Sequence, residues 1–314
     1  MKITEAVKYV TELDDIILDE IRSGQVVILR DEPKAIEAVN FTEAYVNSLS
    51  KKVKKNAKTF QLDKLHRHLD ESERTSLFKC IHHNSDDHMQ IPNTICSILN
   101  KYGFGKNTLV SKNTHFRMAI PSARIGSINA VPAHRDSWYR LPSEGINFWL
   151  ACTNDPEAGI EIFTEQFGKK ISKSKVNPET QHHEIKDKAI LNNPPLVPDF
   201  KRGDIIIFSG EHLHRTKTNN TETTRISWDY RVLRLKDIKI SLRLHEFVST
   251  ESFAADPKDY SRQNKDTNKL LKKYSRYLSW SRVLTGSFPR LVVYFLMLEK
   301  KILSPINFIS KKIK

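Results

Sequence analysis

Residues 203–231 read GDIIIFSGEHLHRTKTNNTETTRISWDYR. Two runs of β-branched and aromatic residues, Ile205 to Phe208 and Arg225 to Tyr230, flank a short histidine-bearing run and a turn built of Thr and Asn. Branched and aromatic side chains pack well on a pleated surface, whereas Asn and Thr hydrogen-bond their own backbone in turns, so the pattern predicts strands joined without helices. The same texture recurs upstream in HFRMAI (115–120), GINFWLACT (145–153) and GIEIF (159–163), and downstream in IKISLRL (238–244). Parallel strands need crossover helices between them, so this spacing predicts an antiparallel barrel or jelly roll and an α+β fold class.

Around that core the chain divides into three parts: a mostly helical layer (1–113), the β-rich core (114–261) and a basic helical tail (262–314). In residues 4–22, Val7, Val10, Leu13, Ile17 and Ile21 recur at helical spacing and Gly24 supplies a stop. A strand is expected at 25–29, helices over most of 33–99 with Asp70 as a cap, and a long polar loop from Lys169 to Arg202.

Composition bounds the function. With 314 residues, 39% hydrophobic and 28% charged, the chain is a folded globular protein and not a disordered one. Cys80, Cys96 and Cys152 are too widely spaced for a metal clip and odd in number, which fits a reducing cytoplasm. No secretory leader and no apolar run of about 18 residues is visible. The net charge is +14, and residues 262–314 carry +11 of it, with the apolar run LVVYFLML (291–298) between basic clusters. An apolar segment too short to span, flanked by bases, suits an anionic membrane surface. Packing on the barrel or on a second subunit, giving a homo-oligomer, is the alternative. Nucleic acid is excluded as a partner, since that apolar run is poor material for gripping phosphates.

Three features carry chemistry. His134-Arg135-Asp136 forms an HxD triplet, and alternate residues of an extended chain point to one side, so imidazole and carboxylate can face one ion. A second histidine follows in GEHLH; His214 and His212 share strand parity, and only His214 is separated from Arg225 by ten residues. Arg225 is followed by Ser227 on the same strand parity. Two imidazoles and one carboxylate leave half of a metal's coordination sphere open, as non-haem Fe(II) oxygenases require. A guanidinium with a nearby hydroxyl can hold a carboxylate bidentately.

Over residues 114–234 this pattern resembles the Fe(II)/2-oxoglutarate-dependent oxygenases, and within them the phytanoyl-CoA-dioxygenase-like branch, including Asn219 shortly after the second histidine. The resemblance implies a double-stranded β-helix of the cupin-like jelly-roll type. It implies Fe(II) on His134, Asp136 and His214, 2-oxoglutarate on Arg225 and Ser227, and O2 as second co-substrate. Tyr139, Asn147, Trp149 and Thr216 are expected to line the same pocket. Halogenating relatives lack the metal-binding carboxylate; Asp136 is present, so hydroxylation is expected.

Arg124, Arg135 and Arg140, with Arg117, cluster around the HxD strand and are expected to meet an acidic substrate. Joined to a basic tail, this points to a lipid-linked sugar acid, and the chain looks similar in that respect to the Kdo hydroxylases, which act on the sugar acid of lipid A precursors. The same chemistry on a soluble acyl-CoA, phosphonate or natural-product intermediate is one alternative, and a non-oxygenase cupin-like module or sugar isomerase another. His82, His83, Asp86, Asp87 and His88, and likewise His182 and His183, read as solvated loop residues.

Overall fold

The computed structural model describes residues 7–83, 90–111, 114–122, 131–139, 142–177, 182–238, 247–249, 266–267 and 269. Arg124, Arg140, the strand expected at 238–244 except for its first residue, and nearly all of the basic tail lie outside them.

The core is two sheets between which the chain alternates. Four strands, β4 (His115–Ala119), β5 (Ile146–Ala151), β9 (Ile205–Ser209) and β11 (Arg225–Arg234), pair antiparallel in the order β4-β11-β5-β9. The second sheet joins β6 (Ile160–Phe163) to β10 (Leu213–Thr216). Isolated bridges His134↔His214 and Ile162↔Leu196 add one chain segment at each side. The path therefore runs from β4 to His134 in the second sheet, back to β5, over to β6 and Leu196, back to β9, over to β10, and back to β11. That alternation is the connectivity of a double-stranded β-helix.

The first sheet continues outward. β1 (Val7–Val10) pairs parallel with β2 (Val26–Leu29), β2 pairs with β9, β3 (Thr108–Ser111) continues along β11 beyond β4, and β12 (Phe247–Ser249) pairs with β3. Residues 7–10 are thus strand, where helical spacing predicts helix. The apolar side chains there are claimed by pairing with the wholly buried β2, and the helix α1 (Asp15–Arg22) starts only where Asp14 accepts a hydrogen bond from the Ile17 amide. It ends at Ser23 and Gly24, whose φ of +107° only glycine adopts without strain.

Both faces of the first sheet are covered, which is why β5 is buried at every position. Ile146, Phe148 and Leu150 pack with Val39 and Val46 of α2 (Pro33–Val53) and with Leu77 and Ile95 of α4 (Glu71–His83) and α5 (Gln90–Lys101). Trp149 and Ala151 face Ile160, Ile162 and Leu196 of the second sheet. A capping box starts α4: Asp70 accepts from the Glu73 amide and Glu73 accepts from the Asp70 amide. The one-turn α3 (Leu65–His68) is tied to the start of β11 through His66 and Thr224.

The 169–202 segment read as one long loop contains a small hairpin of β7 (Lys173–Val176) and β8 (His183–Ile185), then a 3-10 turn (Lys188–Asn192). Lys and Ser at alternate positions of β7 gave no apolar alternation to announce it. Among the described residues no helix is long and apolar enough to cross a membrane.

Candidate metal centre

His134, Asp136 and His214 converge, each buried, with ligand atoms within 4.8 Å of one another. Reciprocal backbone bonds of 3.0 Å between His134 and His214 place the imidazoles side by side, ring centroids 4.3 Å apart. The Asp136 amide donates to the Gly210 carbonyl at 3.0 Å, and there the chain leaves the strand in a 3-10 turn (Asp136–Tyr139). His134 Nε2 and Asp136 Oδ1 are 3.8 Å apart.

The ring orientations suit a metal. His134 Nδ1 lies 2.9 Å from the Pro132 carbonyl, and His214 Nδ1 2.9 Å from that of His212. A carbonyl can only accept, so each Nδ1 carries the proton and each Nε2 presents its lone pair to the shared space. Burial, with the like charge of His214, pushes His134 down to about 3, so its imidazole is neutral near pH 7. Burial alone would raise the Asp136 carboxyl, but the Arg231 guanidinium and the imidazoles beside it hold it well below the usual carboxylate range. A neutral His134 nitrogen and one anionic oxygen are therefore available together, with His214 Nε2 turned toward the same space.

The choice between His214 and His212 is settled by position. His212 precedes β10, in the turn, so strand parity does not apply to it. Its ring is fully buried between the Ser209 and Gly24 carbonyls, at 3.2 and 3.1 Å, and holds the second sheet to the α1–β2 connection.

Behind the triad a cavity lies between the sheets, lined among others by Asn147, Trp149, Thr216, Arg225, Asp229 and Arg231. Arg225 is 2% exposed; Nη1 donates to Ser227 Oγ at 2.7 Å, while Nε and Nη2 have no partner among the described residues. Burial pushes this guanidinium down to about 10, still charged near neutrality. A buried cation with two unused donors is costly unless an anion completes it. A carboxylate held in the fork of Arg225, with Ser227 alongside, answers that need, and the residues present fit a dicarboxylate as well as a ferrous ion.

The other expected residues are distributed as follows. Trp149 lies under the Arg225 guanidinium at 5.6 Å, Thr216 Oγ1 accepts from the Val131 amide, and Asn147 Nδ2 donates to Asp136 Oδ2 at 2.7 Å. Asn147 thus serves the carboxylate while also lining the cavity. Tyr139 is outside the cavity lining but sets its ring against His134, centroids 5.5 Å apart. Arg135 is also outside it, buried, donating to the Gln166 carbonyl at 2.5 Å. Three residues were not singled out for these roles from sequence. Arg231 Nη2 donates to Asp136 Oδ1 at 2.8 Å, and Arg117 Nε to Asp229 Oδ2 at 2.8 Å. The period of two that groups Ser227 with Arg225 also places Asp229 and Arg231 on that face, so the signal was present.

No protein-family model and no curated protein matches this chain. Among solved structures it is similar to the non-haem alpha-ketoglutarate-dependent carbocyclase SnoK from nogalamycin biosynthesis, at 11% identity over 71% of this chain and 85% of that one, TM-score 0.41. It is similar to EvdO2 from Micromonospora carbonacea var. aurantiaca complexed with 2-oxoglutarate, at 12% identity over 71% and 91%, TM-score 0.42. It is also similar to the alpha-ketoglutarate-dependent epimerase SnoN, at 11% identity over 71% and 84%, TM-score 0.37. These overlaps are shallow, and the chemistry is argued from this chain's own residues: a double-stranded β-helix with a His-Asp-His centre and a buried Arg-x-Ser has the donor set of the Fe(II)/2-oxoglutarate-dependent enzymes.

Proposed function

We propose that this protein is an Fe(II)/2-oxoglutarate-dependent oxygenase that hydroxylates a C–H bond of an anionic, lipid-linked sugar acid, the Kdo of a lipid A precursor being the most specific form of that reading. The observation that carries the oxygenase reading is the pairing of the buried His134/Asp136/His214 cluster with the incompletely bonded Arg225 guanidinium across one cavity. A metal site alone would suit an isomerase or a storage module; a second, carboxylate-shaped site beside it favours a dicarboxylate co-substrate.

His134, Asp136 and His214 would hold iron, with Asn147 and Arg231 orienting Asp136. Arg225 and Ser227 would clasp the distal carboxylate of 2-oxoglutarate, and Trp149 would wall the guanidinium in. When bound, iron and O2 supply the oxidising power, with 2-oxoglutarate leaving as succinate and CO2. The protein's part is to exclude water, orient the dicarboxylate and present the substrate carbon. The lipid-linked part of the reading is supported by the +11 charge of 262–314, which would hold the enzyme on an anionic membrane surface. Catalysis in the cytoplasm on a soluble anionic intermediate is the alternative.

The test is incubation of the purified full chain with Fe(II), 2-oxoglutarate and extracted lipids. Succinate release with gain of one oxygen atom in a glycolipid is the expected result, abolished in Asp136→Ala. No succinate across sugar acids, lipid A precursors and acyl-CoA substrates would reject the oxygenase. Unchanged vesicle binding after deletion of 262–314 would reject the membrane role.

A further inference from the structure

The β7–β8 hairpin delivers a cation to the outer side of the metal centre. Lys173 Nζ lies 2.9 Å from the Trp138 carbonyl and 3.2 Å from His183 Nε2. His183 Nδ1 is 2.8 Å from the Ser174 carbonyl and so carries that ring's proton, which leaves Nε2 to accept from the ammonium. Two of three ammonium donors are used and, among the described residues, the third is open. Among the described residues no carboxylate lies within ion-pair distance of Lys173, although it is part-buried. Aromatic rings stand nearby: the Trp138 ring centroid is 5.6 Å from Nζ, and the ring of His183, which Nζ contacts, is 5.4 Å from that of Tyr139.

This cluster is linked to the metal ligands by two residues. Trp138 and Tyr139 belong to the turn that begins with Asp136, and Tyr139 packs on His134. The Tyr139 hydroxyl is 3.0 Å from His182 Nδ1 and accepts from the His183 amide at 3.4 Å. The charge of Arg117, in the cavity lining, reaches His182 as well. The hairpin therefore stands at the metal side of the cavity.

We propose that Lys173 and His183, walled by Trp138 and Tyr139, form a subsite for an anionic oxygen group, carboxylate or phosphate, on the substrate whose carbon is presented to the metal. The proposal rests on the oxygenase reading for the word substrate, but the anion site itself does not. A part-buried ammonium with, among the described residues, an unused donor, no acid partner and aromatic rings beside it is completed by a bound anion through a charge-assisted hydrogen bond. Burial already lowers the Lys173 ammonium from its ordinary value. Arg135, which sequence spacing offered for this role, is engaged by the Gln166 carbonyl.

The experiment uses the full chain labelled with 15N-histidine, the His183 ring resonance being assigned by its loss in His183→Gln. Inorganic phosphate and acetate are titrated separately, so the two sources of the anionic group are read apart. A saturable shift of the His183 resonance with either anion, weakened about tenfold or more in Lys173→Met and unchanged in Arg225→Lys, supports the subsite. An unmoved His183, or a shift that saturates equally in Lys173→Met, overturns it. Once a substrate turns over, Lys173→Met should raise its KM about tenfold or more while kcat and the KM for 2-oxoglutarate stay within about twofold; an unchanged substrate KM overturns the subsite. If no turnover is found, the anion titration decides the subsite independently of the oxygenase.

Discussion

Arg231 Nη2 donates to Asp136 Oδ1 at 2.8 Å, and Asn147 Nδ2 donates to Oδ2 of the same carboxylate at 2.7 Å. Both oxygens of the only anionic group in the triad are thus oriented before any metal arrives. Groups behind a metal ligand fix its direction, and losing one costs about 10–100-fold in metal affinity or activity. Arg231→Met should weaken binding of Co(II), a spectroscopic stand-in for Fe(II), about tenfold or more, with partial rescue in Arg231→Lys. The competing effect is repulsion between guanidinium and dication. Equal or tighter Co(II) binding in Arg231→Met, read by titration of the visible absorption, would mean that repulsion outweighs orientation and that Arg231 has no positioning role.

His212 and His214 are two residues apart and should fail differently. His214→Ala removes a ligand nitrogen, so it should abolish metal binding with little change in Tm. His212→Ala should keep the metal but lower stability by about 1–3 kcal/mol, because the buried ring's packing and its bond to the Gly24 carbonyl are lost, while the Ser209 carbonyl keeps the residue-212 amide. Urea unfolding beside metal titration separates them. Equal metal loss in both variants would contradict the ligand assignment.

The legible parts of the molecule were those with local signals. Short runs of β-branched and aromatic residues at Ile146 to Ala151 and Ile205 to Ser209 announced strands, and the triad was readable because HxD and the Arg-x-Ser pair each lie on one strand parity. Residues 7–10 misled because Val7 and Val10 fit a helical period as well as they fit an edge strand, and the deciding partner, Val26–Leu29, lies sixteen or more residues later. The Arg231–Asp136 contact spans 95 residues, so no local spacing could announce it. Nor could the sequence show that Arg135 turns toward Gln166, since that depends on how the 3-10 turn at Thr164–Gln166 returns beneath the HxD segment.

His66 makes the protein acid-sensitive near its working range. Its Nδ1 lies 2.8 Å from Thr224 Oγ1, the residue before Arg225, so it helps hold the start of β11. Burial, reinforced by Arg67, Lys64 and Arg74, lowers His66 from the ordinary value of 6.5. The unfolded chain therefore binds a proton that the native ring resists. The contribution is fully present above about pH 6.5 and declines as pH falls from there toward the lowered native value. Tm should fall between pH 7.0 and 5.5 by more in the parent than in His66→Gln. Parallel changes in the two proteins would show that His66 does not contribute to the acid sensitivity.

Arg225 offers the sharpest separation of iron chemistry from dicarboxylate recognition. Its Nη1 is committed to Ser227 at 2.7 Å, Nε and Nη2 are open among the described residues, and Trp149 packs on its face at 5.6 Å from the guanidinium carbon. A planar fork of that kind matches both oxygens of a carboxylate, whereas a lysine ammonium is a point charge that cannot donate in parallel. Arg225→Lys should therefore keep Co(II) affinity within about twofold and raise the 2-oxoglutarate requirement by about 10–100-fold, the worth of one to two charge-assisted bonds. Ser227→Ala should do the same to a smaller degree, since it loses one hydroxyl and leaves the fork. The measurement is 2-oxoglutarate titration of the Co(II)-loaded protein, followed by the change in its visible absorption, which needs no knowledge of the substrate. If Arg225→Lys bound 2-oxoglutarate as tightly as the parent, the unused donors of Arg225 would not be the carboxylate's site. Loss of Co(II) binding in the same variant would show instead that Arg225 supports the metal centre.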